Sequence, residues 1–458
     1  MPSVKFTAFS TLRSWWQDRL FRGVLKNSGY LFGSNSLAAV LTFIQGIFAA
    51  RLLGADGYGL VGIVIAFASN VHRLLSFRMN EVVVKTFQQH LADGRKDRAA
   101  AAVKGAAIVE LFTSLVSLAV VLLAAPLAAR IFAKDETTAN LFSFYGLYLI
   151  SNFAYETSSG VLQVNGKFKR IAVVNFLQSV ITASLIGAAF IFKAGSIEVL
   201  GAYLVGKTFL GLTITLLAFR ELGSMLGTGW WRIPIHLEPN WREKFRFAVS
   251  TNLNGTVNLI VRDSEILLLG LFRSQTEVGY FRLGLGLINM IMTPIDPFIW
   301  PTYAEITRTI AVRQWKNTVG LLKKVSTVAA VWTLVAGGFL VLSGWFFIPL
   351  IYGSEYLPVY PLLVILLVGY GFANIFQWNR PLLLALSMPD YPLKISGLIG
   401  AVKTLLTFTI TPVFGYLAEA AILSGYFIVS VGLILRRGLG EIRSREAQEV
   451  PAAVVEQI

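Results

Sequence analysis

The sequence predicts an all-α, polytopic membrane protein: twelve transmembrane helices in two six-helix bundles related by a pseudo-two-fold axis along the membrane normal. Three observations predict it. The 458 residues are 55% hydrophobic and only 14% charged, with mean hydropathy +0.65, whereas soluble domains carry about 25% charge. Apolar segments of membrane-spanning length recur along the whole chain. The two halves of the chain also match each other weakly but in order.

Residues 1–28 read as a cytoplasmic amphipathic segment. Phe9, Leu12, Trp16, Leu20 and Val24 recur at spacings of three and four, with Arg13, Arg19 and Arg22 between them, the pattern of a helix lying on the membrane surface. No uninterrupted apolar region with a small-residue cleavage site follows the first basic residues, so this start is expected to stay attached. A first bundle is expected over 29–219, with spans near 29–53, 57–77, 99–129, 140–164, 171–192 and 196–219. A basic cytoplasmic connector follows over 220–246. The second bundle covers 247–435, with spans near 247–270, 278–303, 317–351, 358–387, 392–413 and 415–435, and a charged cytoplasmic tail fills 436–458.

With both termini in the cytoplasm, the outer connections hold only Arg51, Arg130, Lys134, Lys193, Arg273 and Arg282, and most of the 40 Lys and Arg lie inside. This excess fixes the expected orientation and accounts for most of the +15 net charge as topology rather than affinity for nucleic acid. The segment "GAYLVGKT", Gly201–Thr208, fits the pattern of a phosphate-binding loop. It lies inside a 24-residue apolar stretch with no solvated loop, so the match is accidental. Zero cysteines exclude disulfides and thiolate chemistry, and His72, His90 and His236 are too scattered to suggest a metal site. No cofactor or metal is expected.

The repeat pairs "SNSLAAVLTFI" from Ser34 with "TNLNGTVNLIV" from Thr251. Gly57, Tyr58 and Gly62 pair with Gly279, Tyr280 and Gly284, "IFAKDE" with "IYGSEY", and Asn152 with Asn374. Two similar halves of six spans would enter from the same side and face each other across a cleft.

Six cations fall within or near the hydrocarbon: Arg73, Lys104, Lys207, Arg262, Arg380 and Lys403. Such residues are costly in a bilayer and mark interior or substrate-facing positions. On an ideal helix Asn254, Asn258, Arg262 and Glu265 share one face. Asn35 and Gln45 give the first span a matching stripe, and Asn374, Gln377 and Arg380 do so for the tenth. The substrate-binding candidates are therefore Arg73, Arg262, Arg380, Asn35, Gln45, Asn254, Asn258, Asn374 and Gln377. The carboxylates Glu156, Asp263, Glu265 and Asp296 are candidates for coupling to H+ or Na+. The opposing structural reading makes the same charges ion pairs, Arg262 with Glu265 first among them. Lys207 and Lys403 can likewise reach a neighbour's carbonyl or carboxylate, and Lys104 can snorkel to the interface. "MTPIDPFIWP" places Pro294 and Pro297 around Asp296, which removes N–H donors and marks a candidate hinge.

The six-plus-six spans, with "ARLLGADGYGLVGIVIAF", "RDSEILLLGLFRSQTEVGYFRLGLGL" and "IYGSEYLPVYPLLVILL", resemble the polysaccharide-transporter branch of the MOP flippase superfamily. The resemblance implies a Wzx-type flippase of the bacterial inner membrane. It would move undecaprenyl-pyrophosphate-linked oligosaccharide to the outer leaflet by alternating access, among membrane lipids and beside polysaccharide polymerase or assembly proteins. It also implies a cavity lined by spans one, two, four, seven, eight and ten, which carry Arg73, Glu156, Arg262, Asp296 and Arg380. A drug antiporter of that superfamily would be expected to carry an acid in span one, where Ser28 to Leu52 has none. A lipid II flippase would usually have two further spans. A membrane polymerase or ligase would need a larger extramembrane region than 220–246.

Overall fold

The computed structural model describes residues 19–237, 246, 249, 252, 255, 256 and 259–455, with side chains described from residue 37 to 448 within these apart from 262, 297 and 300. Among the described residues the chain is helical and contains no strand. Eight of its helices are long and apolar enough to cross a membrane.

Helix α1 (Arg19–Leu75) is interrupted at Gly54, whose φ of 66° is the left-handed region. That conformation favours glycine, and the Glu355 carboxylate lies 3.3 Å from where a Cβ would stand. Next come α2 (Met79–Ala92) and α3 (Lys96–Ala128), the latter running on into a π turn (Ala129–Ala133). The following apolar segment is broken into α4 (Ala139–Gly146), α5 (Tyr148–Ser151) and α6 (Tyr155–Val164). Helices α7 (Phe168–Ile191) and α8 (Ser196–Leu226) are uninterrupted.

The second half opens on a π turn (Leu259–Asp263) and α9 (Glu265–Phe272). Then α10 (Gln275–Met292) passes through a 3₁₀ segment (Thr293–Phe298) into α11 (Ile299–Ala311). Helix α12 (Trp315–Tyr352) is followed by a broken pair, α13 (Val359–Ile375) and α14 (Asn379–Ala385). Helix α15 (Asp390–Val455) is interrupted at Gly415, φ 71°. There Glu277 accepts a hydrogen bond from the backbone N–H of Tyr416 at 2.9 Å, so a carboxylate satisfies a donor at the restarted helix end.

The repeat in sequence reappears as a repeat in helix breaks. The chain leaves helical geometry just after Asn152 and again just after Asn374, the two asparagines paired by the internal match. In the first half the restarted helix is capped from a distance. Buried Glu110 accepts from the backbone N–H groups of Glu156 at 2.7 Å and Thr157 at 2.9 Å, meeting two donors that a helix N-terminus otherwise leaves free.

Three apolar cores organise the molecule. One draws on both halves, including Ala49, Val61, Ile63, Tyr145 and Leu200 with Val278, Phe281, Leu283, Tyr356 and Leu362. A second is built from residues between Phe77 and Trp230, and a third from residues between Ile306 and Ile442. The halves are fused around the Gly54 end and packed separately elsewhere.

Candidate substrate cleft

At the Gly54 end the halves meet backbone to backbone. A Cβ on Gly59 would come 1.8 Å from the carbonyl oxygen of Gln275, and one on Gly279 would come 2.1 Å from that of Ala55. No side chain fits at either position. Arg282 reaches across to donate to the Tyr58 carbonyl at 2.7 Å, with its guanidinium 4.2 Å from the centre of the Tyr58 ring. Tyr356 donates to the Ala50 carbonyl at 3.0 Å, Gln275 to Ala133 at 2.5 Å, and Thr276 to Asp56 at 3.1 Å.

The contacts at the far end of the same α1 helix are of another kind. From Tyr58 to Arg73 the helix advances about 22 Å. There Arg73 donates to Asp263 at 2.6 Å, and both side chains are roughly two-fifths exposed. Asn252 donates to the Leu74 carbonyl at 3.2 Å, and the Arg78 guanidinium lies 2.8 Å from where a Gly255 Cβ would stand. Arg73, Leu74 and Arg78 of the first half thus meet Asp263, Asn252 and Gly255 of the second.

The candidate residues separate into groups. Arg73 and Asp263, expected as a cargo ligand and a coupling acid, face each other. Arg380 is exposed, with no ion-pair partner among the described residues. Asp296 and Pro294 are exposed on the 3₁₀ segment between α10 and α11, which is the interruption that the prolines predict. Glu156 is partly buried and accepts from Ser76 at 3.3 Å. The side chains of Asn35, Arg262 and Pro297, and residues Asn254 and Asn258 altogether, lie outside the described residues.

Three expectations need correcting. Gln45 is buried and donates to the Ser179 carbonyl at 2.9 Å, so its polarity serves packing of α1 on α7. Asn374 is buried too and donates to Thr333 at 2.9 Å, tying α13 to α12. Gln377 beside it is partly buried. Glu265, drawn on one face with Arg262, follows a π turn at Leu259–Asp263, which departs from regular 3.6-residue winding before α9 begins.

Glu265 is instead ion-paired with Lys403, whose ammonium also lies 3.5 Å from Glu419; all three side chains are at most 2% exposed. Thr407 and Thr411 donate to Glu419 at 3.2 and 2.6 Å. The structural reading of Lys403 therefore holds, with a partner that the sequence reading passed over. Glu419 was detectable, being the only acid in the apolar stretch 415–435. Lys104 donates to the Ile233 carbonyl at 3.1 Å, and Lys207 is exposed. An apolar cavity of about 520 Å³, lined by residues such as Leu111, Leu147, Ile150 and Leu212, lies apart from the cleft, and none of the candidate residues lines it.

Among the described residues the chain is thus a bundle of membrane-length and broken helices, with one core shared by the halves, one core private to each, and charged residues of the two halves facing each other around Arg73 and Asp263. Solved structures agree on the fold. The chain superposes with a TM-score of 0.70 on an inward-facing multidrug resistance MATE family transporter of the MOP superfamily, at 15% identity over 90% of this chain and 96% of that one. With the lipid II flippase MurJ in an inward closed conformation the score is 0.69, at 14% identity over 90% and 89%. Residues 24–306 match the family model described as polysaccharide biosynthesis protein, and the chain belongs to that family. It is also 22% identical to the inner membrane protein YghQ of Escherichia coli K12, over 77% of this chain and 99% of that protein.

Proposed function

We propose that the protein is a transporter, not an enzyme, that flips undecaprenyl-pyrophosphate-linked oligosaccharide from the cytoplasmic to the outer leaflet of a bacterial inner membrane by alternating access. The observation that carries this reading is the core shared by the halves, with a private core in each and the half-exposed Arg73–Asp263 pair between them, which we read as the closed mouth of a cleft. A charged head can enter such a cleft while its prenyl tail stays in lipid. Membership of a polysaccharide biosynthesis family supports a substrate of this class. Arginine's planar fork suits pyrophosphate oxygens, which favours Arg73, Arg262 and Arg380 as its ligands, with the amides of Asn254, Asn258 and Gln377 as sugar contacts.

We read the eight long helices found among the described residues as part of twelve spans in two bundles, 29–219 and 247–435. A 59-residue helix (Asp390–Gln448) would run about 88 Å unbroken, far beyond a bilayer, so Gly415 divides two passes, as Gly54 does. The broken α4–α6 segment and the segment ending in α9 supply the others. The Lys and Arg distribution puts the Gly54 end outside and both termini in the cytoplasm. On that orientation the outer side is sealed and the cleft faces the cytoplasm, where the cargo is made.

Among the coupling candidates, Lys403 already neutralises Glu265 and Arg73 engages Asp263. Glu156 and Asp296 are therefore the acids for H+ or Na+. A lipid II or multidrug cargo remains the second reading, since MurJ and MATE structures share the fold. Deletion of the gene followed by lipid extraction tests the proposal. Accumulation of a full-length lipid-linked oligosaccharide on the inner leaflet supports it, and unchanged lipid-linked sugar pools refute it.

A further inference from the structure

The Arg73 to Asp263 ion pair joins residues 190 positions apart, one from each half. It is solvated on both sides, so separating it does not strand a charge in a dry interior. Asp263 is the last residue of a π turn, and Ser264 immediately after it donates to the Leu259 carbonyl at 2.8 Å, holding that turn in shape. A π turn is under-wound, holding one residue more in its hydrogen-bonded ring than an α-helix, so its conversion to regular helix would swing its last side chain around the axis. Asp263 therefore sits at the end of an element whose rewinding would move it relative to Arg73.

Arg73 has a second feature. Asn70 lies three residues earlier on the same helix face, is only 7% exposed, and its buried Nδ2 has no acceptor among the described residues. A guanidinium and an amide one turn apart make a donor pair suited to an oxyanion with more oxygens than one carboxylate. Asp263 satisfies the guanidinium alone.

We infer that Asp263 is a built-in competitor for the cargo site: a pyrophosphate head displaces it from Arg73, is held by Arg73 and Asn70 together, and thereby releases the strap between the two halves. This rests on the lipid-linked pyrophosphate reading and adds to it a reason why the empty cleft is strapped and the loaded one is free to rearrange. The driving difference is charge. A pyrophosphate carries more negative charge and more acceptor oxygens than a carboxylate, so it wins the guanidinium when both are present.

Spin labels on Gln88→Cys and Lys316→Cys, exposed positions in the two halves of this cysteine-free chain, report the separation by double electron–electron resonance in the full-length protein. The probes are inorganic pyrophosphate and farnesyl pyrophosphate, each against sodium chloride at matched ionic strength. Both pyrophosphates should shift the distance distribution of the parent protein, and chloride should not. Asp263→Asn and Arg73→Gln should each show the shifted distribution without any ligand. Asn70→Ala should raise the pyrophosphate concentration needed at least several-fold while leaving the ligand-free distribution unchanged. A ligand-free Asp263→Asn distribution identical to the parent overturns the strap, and a parent that ignores pyrophosphate while Asp263→Asn is shifted overturns the exchange. The Asp263→Asn arm uses no cargo, so its failure is distinct from a failure of the flippase reading, which lipid extraction reports.

Discussion

The two ends of the interface between the halves are built by opposite means. Around Gly59 and Gly279 the seal is made of shape: backbone against backbone, with no room for one extra carbon. Around Arg73 and Asp263 it is made of charge, in solvent, between side chains that can move. Close packing in a shared core is short-ranged and all-or-none, whereas a half-exposed ion pair is worth only about 0–1 kcal/mol. The difference teaches which end responds to a charged ligand and which must be pried apart as a unit.

The comparison can be broken most severely inside one half. Lys403→Met leaves Glu265 and Glu419 buried without their cation, and breaking a buried pair this way costs about 3–5 kcal/mol. A large fall in melting temperature and in protein level is expected, with partial recovery when Glu265→Gln and Glu419→Gln are added. An unchanged melting temperature for Lys403→Met would mean that α9 is not anchored to its own half.

The next effect is at the sealed end. Gly279→Val forces atoms against the Ala55 carbonyl, and overpacking of this sort costs about 1–3 kcal/mol. Because the clash lies between the halves, the expected outcome is loss of export together with faster labelling by an impermeant thiol reagent of a cysteine at Tyr58. Labelling as slow as in the parent would show that this contact is not a seal.

Smaller again in stability is the charged end. Arg73→Ala and Asp263→Asn should each move the melting temperature by no more than about 1 kcal/mol allows, yet Arg73→Ala should abolish export. Arg380→Ala, at an exposed side chain, should leave stability unchanged and reduce export, with Arg380→Lys falling between because it keeps charge and loses the fork. A stability loss at Arg73 as large as that at Lys403 would erase the distinction between the two kinds of contact.

Hydropathy made the membrane class and the positions of most helices legible, because spans are set by bilayer thickness and the glycine breaks by backbone conformation. The repeat made the correspondence of Asn152 with Asn374 legible, but not the helix breaks at these positions, which lie inside stretches expected to be single spans. Which polar residue faces the cleft was not. Gln45 and Asn374 sit on polar stripes, but a polar side chain can as well be used by a neighbouring helix in the same half, and spacing along one helix carries no information about that neighbour. The expected face from Asn254 to Glu265, whose earlier members lie outside the described residues, missed the π turn at Leu259–Asp263 for a different reason. It presumed regular 3.6-residue winding, and a π turn has no simple sequence signature. Lys403 and Glu419 are 16 residues apart across a helix break, so no periodicity joins them.

The central claim is that a cleft sealed at its Gly54 end accepts a pyrophosphate-linked sugar lipid and passes it across the bilayer. Reconstitution of the purified protein into liposomes carrying a fluorescent polyprenyl-pyrophosphate-linked oligosaccharide, with leaflet residence read by a membrane-impermeant quencher, tests it directly. The account predicts leaflet transfer by the parent protein well above that of protein-free liposomes, and its loss in Arg73→Ala and Arg380→Ala. Transfer no faster than in protein-free liposomes, or undiminished in both arginine variants, would contradict it.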